Sequence, residues 1–446
     1  MKRKPVLFFM LSLILLFVSA CGSGGNGAEN NNADTAATNS NAGTSDNNAG
    51  GDNQNGASEL SGEITFWTLQ LSPDFDDYIN GLIDKFQEMH PKVKVNWQDI
   101  PFDQAEERML TAAAGGTLAD VMNVNTDYLK KLAALGAVVN MDEAAADVKD
   151  DYFSGIWSAG ELNGTVYAIP WYVSTGGLLY NTEILQKAGY SEPPKTYDEA
   201  WEMSRKIKET TGAYGMTITD FHLLLPQEGI SIVNEDGTQA AFNTPEMLEL
   251  LKKWKQYYDE GLIPDEILLG QAKIPEWYAE EKVAWWATGP QLFRQVRDLA
   301  PAVYEKSDAA PTLLGKAGVI HASIMNIAVA ESSKNKDAAI AFAKFVTNGE
   351  NQLAFSKIVS ILPSVIEAAN DPFFQEGKDS DDPMEKGKYF SAQQLAVAKN
   401  LFPPVEEISK IHKTINDEFK RVLIEDKDPQ QALDDAEAAV NELLQK

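Results

Sequence analysis

The residue types that most often catalyse reactions are present in this chain, but their spacing matches no catalytic or metal-binding motif. The four histidines, His90, His222, His321 and His412, are scattered over 446 residues, with no HExxH pair and no neighbouring cysteine. A zinc site is therefore not expected. No GxxxxGK[ST] phosphate loop and no GxSxG nucleophile elbow occurs. These absences argue against zinc, nucleotide and serine-hydrolase chemistry, and we expect no cofactor.

Three partial matches to functional motifs lack the neighbouring residues or secondary structure that the motifs require. Residues 333–336 match SxxK, but they form a polar turn before a helix and have no partner motifs. The glycines of segment 22–27 spell GxGxxG with no strand before them and no helix after them. The aspartates of segment 379–382 lack the glycine and the final glutamate of a calcium-binding EF-hand loop. We interpret this last segment as a solvated loop and predict no metal site.

The amino-terminal segment has a clearer chemical meaning. The basic residues 2–4 are followed by an apolar run over 6–20, which is too short to span a bilayer comfortably but fits the core of a signal peptide. Cys21, the only cysteine of the chain, comes directly after small residues, as in a bacterial lipobox. We predict that residues 1–20 are removed and that lipidated Cys21 anchors the protein outside the cytoplasm. The lipid would be its only attachment to the membrane.

The next segment and the net charge limit the possible partners. Residues 21–60 are rich in Gly, Asn, Ala and Ser, which predicts a disordered tether with an end-to-end distance near 35 Å. The net charge of the whole chain is −28 and becomes −31 when the three basic residues 2–4 are removed. A chain so acidic is not expected to bind nucleic acid, which requires clustered Lys and Arg.

From residue 61 onward, strand and helix patterns alternate, which predicts an α/β fold with a parallel or mixed sheet. About 385 residues exceed one ordinary core and suggest two lobes. We predict strands at 64–68, 93–97, 121–124, 164–170, 178–181, 282–288 and 323–330, with a tight turn at 236–237 between two short strands. We predict helices at 76–89, 103–114, 127–135, 182–188, 197–209, 245–260, 337–346 and 429–444.

Several short sequence motifs follow one another along residues 62–446. They are ITFWT at 64–68, AAAGG at 112–116, GTVYAIP at 164–170, PPKTYDE at 193–199, EKVA at 281–284 before GP at 289–290, and SKNKDAA at 333–339. In this order, the motifs resemble the extracellular solute-binding proteins of ABC importers, in the family that includes the maltose- and oligosaccharide-binding proteins. Each motif alone is unspecific, but their order behind a lipobox and a tether makes the match specific.

The resemblance implies a two-lobed fold of the type II periplasmic-binding-protein kind, with the ligand held in a cleft between the lobes. It places lobe 1 at 61–172 plus 322–370, and lobe 2 at 173–321 plus 371–446. It implies a monomer that captures a sugar or oligosaccharide by hinge closure and delivers it to the permease subunits of an ABC importer. It implies no enzymatic step.

Aromatic side chains that could contact the C–H faces of a sugar occur near the predicted crossovers. Trp67 ends the first strand, where ligands of open α/β sheets bind. Trp171 and Tyr172 are adjacent at the first predicted crossover. Trp285 and Trp286 are neighbours in one strand, so only one can face the cleft. We choose Trp286 because it lies nearer the carboxyl end of that strand.

Three polar residues complete the predicted site. The resemblance places a sugar-binding acidic residue of maltose-type proteins at Asp127, which would also favour the amino-terminal end of its helix. Gln70 follows the first strand, and Ser174 stands where maltose-type proteins often have an acidic residue, so maltose itself is doubtful. Asp120 is expected to serve the local strand structure, and His222 is a further candidate at the cleft edge.

Two alternatives remain open at the level of sequence. The same fold could bind a different solute, such as a phosphorylated polyol, a polyamine or a peptide. A phosphate would require an arginine or a helix amino terminus in the cleft, and no arginine cluster is evident. A tethered glycoside hydrolase would require two paired carboxylates, which a sequence cannot place in space.

Overall fold

The computed structural model describes residues 59–359, 361–403, 405 and 407–445. The predicted signal peptide, Cys21 and the tether up to residue 58 lie outside these residues. Within them, we find no helix that combines the length and the apolar character needed to cross a bilayer.

Twelve strands are described, and three of the seven predicted strands, those over 64–68, 121–124 and 178–181, are confirmed to within two residues at both ends. The strands are β1 Gly62–Leu69, β2 Val93–Ile100, β3 Val121–Asn125, β4 Glu161–Leu162, β5 Thr165–Val166, β6 Ile169–Thr175, β7 Gly177–Asn181, β8 Trp285–Thr288, β9 Ser307–Pro311, β10 Ile320–Val329, β11 Leu362–Pro363 and β12 Ala398–Lys399.

The α-helices lie between these strands and at the carboxyl end of the chain. They are α1 Asp76–Met89, α2 Phe102–Gly115, α3 Thr126–Ala134, α4 Met141–Ala144, α5 Ser154–Trp157, α6 Thr182–Lys187, α7 Tyr197–Thr211, α8 Phe221–Gln227, α9 Pro245–Asp259, α10 Asp265–Leu268, α11 Ile274–Ala279, α12 Arg294–Leu299, α13 Pro301–Tyr304, α14 Lys336–Val346, α15 Gly349–Ser356, α16 Ile366–Ala369, α17 Pro383–Gln393, α18 Ile408–Ile424 and α19 Pro429–Leu444.

Local sequence signals explain several of the helix ends. Thr196 caps α7 by accepting a hydrogen bond from the backbone N–H of Glu199, and the Glu199 carboxylate accepts one from the backbone N–H of Lys195. Beyond α3, Gly136 adopts a left-handed φ of 64°, the conformation that lets the chain leave a helix. The predicted starts and ends of these two helices are confirmed to within two residues.

The strands form two principal sheets that confirm the predicted mixed α/β class. The first has the order β11-β6-β10-β3-β1-β2, with β12 paired to β10. In it β1 runs parallel to β2 and β3, whereas β10 runs antiparallel to β3 and β6. The second sheet has the order β8-β7-β9 and is antiparallel. A small hairpin pairs β4 with β5.

Each principal sheet has its own hydrophobic core, and we call the two bodies the first and second lobes. In the first lobe, Phe342 of α14 packs against Phe66 of β1 and Phe86 of α1, with ring centroids 5.2 and 5.0 Å apart. In the second lobe, Phe419 of α18 lies among Phe221 and Trp254, with centroids 6.0 and 6.3 Å away. The two cores share no residue.

The first predicted crossover strand differs from its predicted form. The expected strand over 164–170 is two pieces, β5 and β6, and β6 continues to Thr175. Pro170 lies within β6 beside a register shift, because the pairing with β10 passes from Pro170–Asn326 directly to Tyr172–Met325. Proline donates no backbone hydrogen bond and is tolerated at such bulges. Trp171 is the extra residue and has no partner on β10.

Two smaller expectations are also corrected. The strand expected over 282–288 is shorter, since β8 begins at Trp285 and Val283 makes only an isolated bridge to Tyr214. The turn at Gly237 is present, with a φ of 65°, but its flanks form a single bridge between Val233 and Ala240 rather than two strands.

The separate core of the second lobe gives a direct stability prediction. Leu433 of α19 is fully buried, whereas Leu299 at the end of α12 is 58% exposed. We expect Leu433→Ala to lower the free energy of unfolding by about 2–5 kcal/mol, because it removes buried methyl groups and leaves a cavity. The matched Leu299→Ala change should cost less than about 1 kcal/mol. Urea unfolding followed by circular dichroism measures both, and equal losses would contradict the assignment of α19 to a core.

Candidate functional site

The chain passes from the first sheet to the second within one residue, and the candidate site lies there. β6 ends at Thr175, β7 begins at Gly177, and Gly176 alone separates them. The segment after β9 returns to the first sheet alongside, and a Cβ atom on Gly176 would lie only 3.3 Å from Thr312 Oγ1. The absence of a side chain at Gly176 therefore lets two crossing segments approach closely.

A cavity of about 310 Å³ opens beside this crossing. Gly176 and Thr312 line it together with Ile320 and His321 of β10 and with residues of the second lobe. Its size lies at the lower end of typical ligand pockets. The side chains in its wall that can form hydrogen bonds or stack on a ligand are Tyr197, Thr217, Thr219, Asp220, Gln227, Trp285, Thr288, Thr312 and His321.

Trp285 has the strongest unmet hydrogen-bonding requirement in this wall. It is 2% exposed, and its indole Nε1 has no hydrogen-bond partner among the described residues. A buried N–H without an acceptor is costly, and a ligand or a water can supply the missing acceptor. By contrast, the Tyr197 hydroxyl already donates to Gln227 Oε1 at 3.1 Å, and Gln227 Nε2 donates to the Leu223 carbonyl. Trp285 is thus the wall residue most clearly available to a guest.

Trp286, the tryptophan chosen from the sequence, faces the opposite side of β8. It packs in a separate cluster of the second lobe with Tyr278, Phe293 and Val296, under α11 and α12. Alternation along a strand explains why the two neighbours point apart. Because the strand pattern does not show which face is covered by helices, the sequence could not choose between them.

The other predicted aromatic residues lie in the core of the first lobe in this conformation. Trp67 is 9% exposed and lies under the Arg108 guanidinium, whose central carbon is 4.6 Å from the ring centroid. Trp171 is fully buried and stacks on Phe355 at 5.3 Å, and Tyr172 contacts the same ring at 5.7 Å. The bulge at Trp171 explains how two adjacent residues reach one partner. Burial raises the pKa of the Tyr172 hydroxyl.

The predicted polar residues occupy three different environments. Gln70 is exposed at a left-handed φ of 51°, in a loop held by the Asp99 carboxylate, which accepts from the backbone N–H groups of Leu71 and Ser72. Ser174 Oγ accepts a hydrogen bond from Gln291 Nε2 at 3.4 Å. It lines a separate space of about 30 Å³, which suits one or two waters and excludes a sugar.

Asp127 is the predicted residue with the clearest free acceptor. It lies in the first turn of α3, and its Oδ1 is buried with no hydrogen-bond partner in the part of the chain that the structure describes. Burial raises the pKa of this carboxyl group, against the opposing charges of Lys130 and Lys131. In contrast, both carboxylate oxygens of Asp120 already accept hydrogen bonds. The donors are the backbone N–H and the hydroxyl of Thr65 and the hydroxyl of Ser333.

None of the seven predicted ligand residues, Trp67, Gln70, Asp127, Trp171, Tyr172, Ser174 and Trp286, lines the 310 Å³ cavity, so all seven stay predictions. The sequence analysis missed Tyr197, Asp220 and Thr288, which reach the cavity from a helix start, a loop and a strand end. The helix-starting TYDE motif at Tyr197 was the one available signal. Among the described residues, no group of three or more His, Cys, Asp or Glu side chains is placed to hold a metal ion.

Comparison with known proteins agrees with the two-lobed architecture. The family model of the bacterial extracellular solute-binding proteins matches residues 81–381. The diacetylchitobiose binding protein DasA of Streptomyces coelicolor is 24% identical over 82% of this chain and 82% of its own length. The arabinooligosaccharide-binding protein of Bacillus subtilis is 23% identical over the full length of both chains.

A solved structure gives the same result for the fold. The sugar-binding protein MalE of Xanthomonas citri superposes with a TM-score of 0.73 at 24% identity, covering 86% of this chain and 98% of its own. The predicted two-lobed solute-binding fold is confirmed by this likeness together with the family match. Members of the matched family bind solutes outside the cytoplasm. The chain belongs to the bacterial extracellular solute-binding protein family.

Proposed function

We propose that this protein captures a sugar or oligosaccharide in the cavity at the crossing and presents it to an ABC importer. The observation that carries the proposal is the position of this cavity, at the point where strands pass between the lobes. Relatives named for diacetylchitobiose and for arabinooligosaccharides support a carbohydrate ligand. The ligand leaves unchanged, because the role of the site is binding and transfer rather than hydrolysis.

The chemistry of the wall suits a carbohydrate. The Trp285 and Tyr197 rings offer flat apolar surfaces for the C–H faces of a sugar. The hydroxyl groups of Thr288 and Thr312 and the carboxylate of Asp220 lie beside them and can exchange hydrogen bonds with sugar hydroxyls. Among the residues that the structure describes, no arginine lines this cavity, so phosphorylated solutes are less well matched.

We further propose that the first lobe contributes when the lobes close. The free Asp127 Oδ1 supports a role as acceptor for a ligand hydroxyl, since a guest would satisfy an atom that otherwise has no partner. The lobes would divide close to the sequence-based boundaries, with crossings between β6 and β7, between β9 and β10, and between α16 and α17. After the third crossing, the chain returns briefly to the first sheet, where β12 pairs with β10.

The anchored location is also part of the proposal. Lipidated Cys21 would hold a monomer at the outer face of the cell membrane, with residues 21–60 as a tether of roughly 35 Å. The permease subunits of the importer would then recognise the closed form. This arrangement keeps the receptor close to its transporter while the lobes remain free to open and close.

The central binding prediction compares two adjacent tryptophans. Calorimetry with maltotriose, diacetylchitobiose and arabinotriose should find at least one that binds. Trp285→Phe should then weaken binding about threefold to tenfold, because it removes one hydrogen bond and keeps an aromatic ring. The matched Trp286→Phe change should alter Kd less than about twofold. Chromatography of the released sugar should recover it intact.

Two results would defeat this proposal. One is the failure of every sugar in the panel to bind, which would favour a non-sugar solute such as a peptide or polyamine. The other is an equal loss of affinity in the Trp285→Phe and Trp286→Phe proteins, which would indicate that the ligand does not bind in the described cavity. New reducing ends in the recovered sugar would instead indicate a glycoside hydrolase.

The lipid anchor has its own test. Cells grown with an alkyne-bearing fatty acid should incorporate it into the wild-type chain, because Cys21 is the only cysteine available for lipidation. Cys21→Ser should abolish the label, and Ser23→Ala, two residues away, should retain it. Equal labelling of the Cys21→Ser protein would refute anchoring through this residue.

A further inference from the structure

Three of the four histidines converge on one phenylalanine beside the cavity. His222 of α8 stacks on His412 of α18, with ring centroids 3.9 Å apart and planes inclined by 20°. His321 of β10 lies 4.5 Å from the Phe402 ring, and His412 lies 4.7 Å from it. Phe402 belongs to the segment between β12 and α18. Residues distant in sequence thus form one compact cluster, which we call the histidine cluster: His222, His321, Phe402 and His412.

Hydrogen bonds fix two of these rings in the neutral state. Asn416 Oδ1 accepts from the His222 backbone N–H at 3.2 Å, so its Nδ2 donates to His222 Nδ1 at 3.0 Å. His321 Nδ1 accepts from the Leu401 backbone N–H at 3.4 Å. A ring nitrogen that accepts a hydrogen bond carries no proton. Protonation at either Nδ1 would therefore break a bond that holds the cluster together.

A lysine from the first lobe donates hydrogen bonds to the backbone of the histidine cluster segment at Phe402 and Pro403. Lys130 of α3 is 4% exposed, and its Nζ donates to the carbonyl oxygens of Phe402 and Pro403 at 3.4 and 3.2 Å. Since His222 and His412 belong to helices packed in the second-lobe core, the contact joins the two lobes. Burial lowers the pKa of the Lys130 amine to about 8, so it remains largely charged at neutral pH.

The other charged groups near the cluster are few among the described residues. Asp220, just before α8, has its Oδ1 4.0 Å from His222 Nδ1, where it favours protonation of that ring. Asp127 lies one turn before Lys130 on α3 and interacts with its charge. Neither carboxylate contacts His321 or His412 through a hydrogen bond or ion pair. Among the described residues, His321 and His412 consequently have no carboxylate partner for a new positive charge.

Burial and the neighbouring positive charges disfavour protonation of all three rings. Burial lowers the pKa of His321 to about 4 and of His412 to about 3, with the nearby histidine rings adding to both effects. Burial also lowers the pKa of His222, against the opposing effect of Asp220. These values lie below about 6.5, the ordinary value for an exposed histidine. Protonation therefore favours any conformation that exposes the rings.

The sign of the pH effect follows from this difference. The stabilisation of the closed cluster is complete above about pH 6.5 and is lost as the pH falls toward the lowered pKa values. Asp127 acts in the opposite direction, because burial raises the pKa of its carboxyl group and protonation relieves its cost. Three histidines outweigh this single carboxyl group, so the net effect of acid is to open the contact.

We infer that the histidine cluster and Lys130 form an acid-sensitive latch that limits how far the lobes open near neutral pH and is released below about pH 6. His321 and Asp220 also line the proposed sugar cavity, so latch release would lower affinity for the ligand there. This last consequence rests on the proposed function. The latch itself does not, because it is built from contacts within the chain.

The test measures lobe opening without any sugar. Small-angle scattering from pH 7.5 to 4.5 should show the radius of gyration of the wild-type protein increasing below about pH 6. The triple variant H222Q/H321Q/H412Q should remain unchanged over the same range, since it has no titrating ring in the cluster. The control His90→Gln, which changes the one histidine outside the cluster, should behave like the wild type. Circular dichroism checks that each variant is folded.

A second variant keeps the latch testable if the triple variant does not fold. His412→Phe retains a stacked ring without a titratable nitrogen, and it should move the opening transition to lower pH by about half a unit or more. An increase in radius that is the same in wild type and triple variant, an unshifted midpoint in His412→Phe, or no opening of the wild type would each overturn the latch.

A binding experiment separates this inference from the proposed function. For whichever of maltotriose, diacetylchitobiose and arabinotriose binds most tightly, Kd should rise about tenfold or more between pH 7.5 and 5.0 in the wild type. It should rise less than about threefold in the triple variant. If no sugar binds, the proposed ligand is wrong, but the scattering experiment still shows whether the latch exists. If Kd rises equally in both proteins, the latch does not control the site.

Discussion

Two hydrophobic cores, one on each principal sheet, are joined at one crossing by a connection of a single residue. Gly176 alone separates the last residue of β6 from the first residue of β7. Its missing side chain allows Thr312, on the returning segment, to lie against it. At such a crossing a small change in backbone conformation reorients one lobe relative to the other. Since Gly176 and Thr312 also line the cavity, the joint and the site occupy the same place.

Under the proposed function, a ligand would gain binding energy by pairing with polar atoms that are unsatisfied in the folded protein. The Trp285 indole N–H, Asp127 Oδ1 and His412 Nε2 are buried and lack hydrogen-bond partners in the part of the chain that the structure describes. A buried polar atom that makes no hydrogen bond lowers the stability of the folded protein. A polyhydroxylated ligand or an ordered water can supply the missing hydrogen bond. The strongly acidic surface plays a different part. Its ion pairs are mostly exposed and contribute little to stability.

The sequence predicts the fold better than the site, for physical reasons. Helices α1 and α19 carry long apolar stripes, and Asp428 caps the start of α19, so these local signals are strong enough to locate them. The direction of Trp171 could not be predicted, because it depends on a bulge created by pairing with a strand more than 150 residues away. Likewise, alternation shows that Trp285 and Trp286 point apart, but only the placement of α11 and α12 decides which one is covered. Asp220 reaches the cavity from an irregular segment with no periodic pattern at all.

Lobe closure around a guest is the central claim, and a distance between the lobes tests it most directly. Leu135 and Leu299 are exposed, on the first and second lobes respectively, and can each be replaced by cysteine for spin labelling. The thiol of Cys21 would be blocked by lipid in the mature protein extracted with detergent. Pulsed electron paramagnetic resonance should then show a shorter and narrower label-to-label distance when the best-binding sugar is added. A distance distribution that the sugar leaves unchanged would contradict the account.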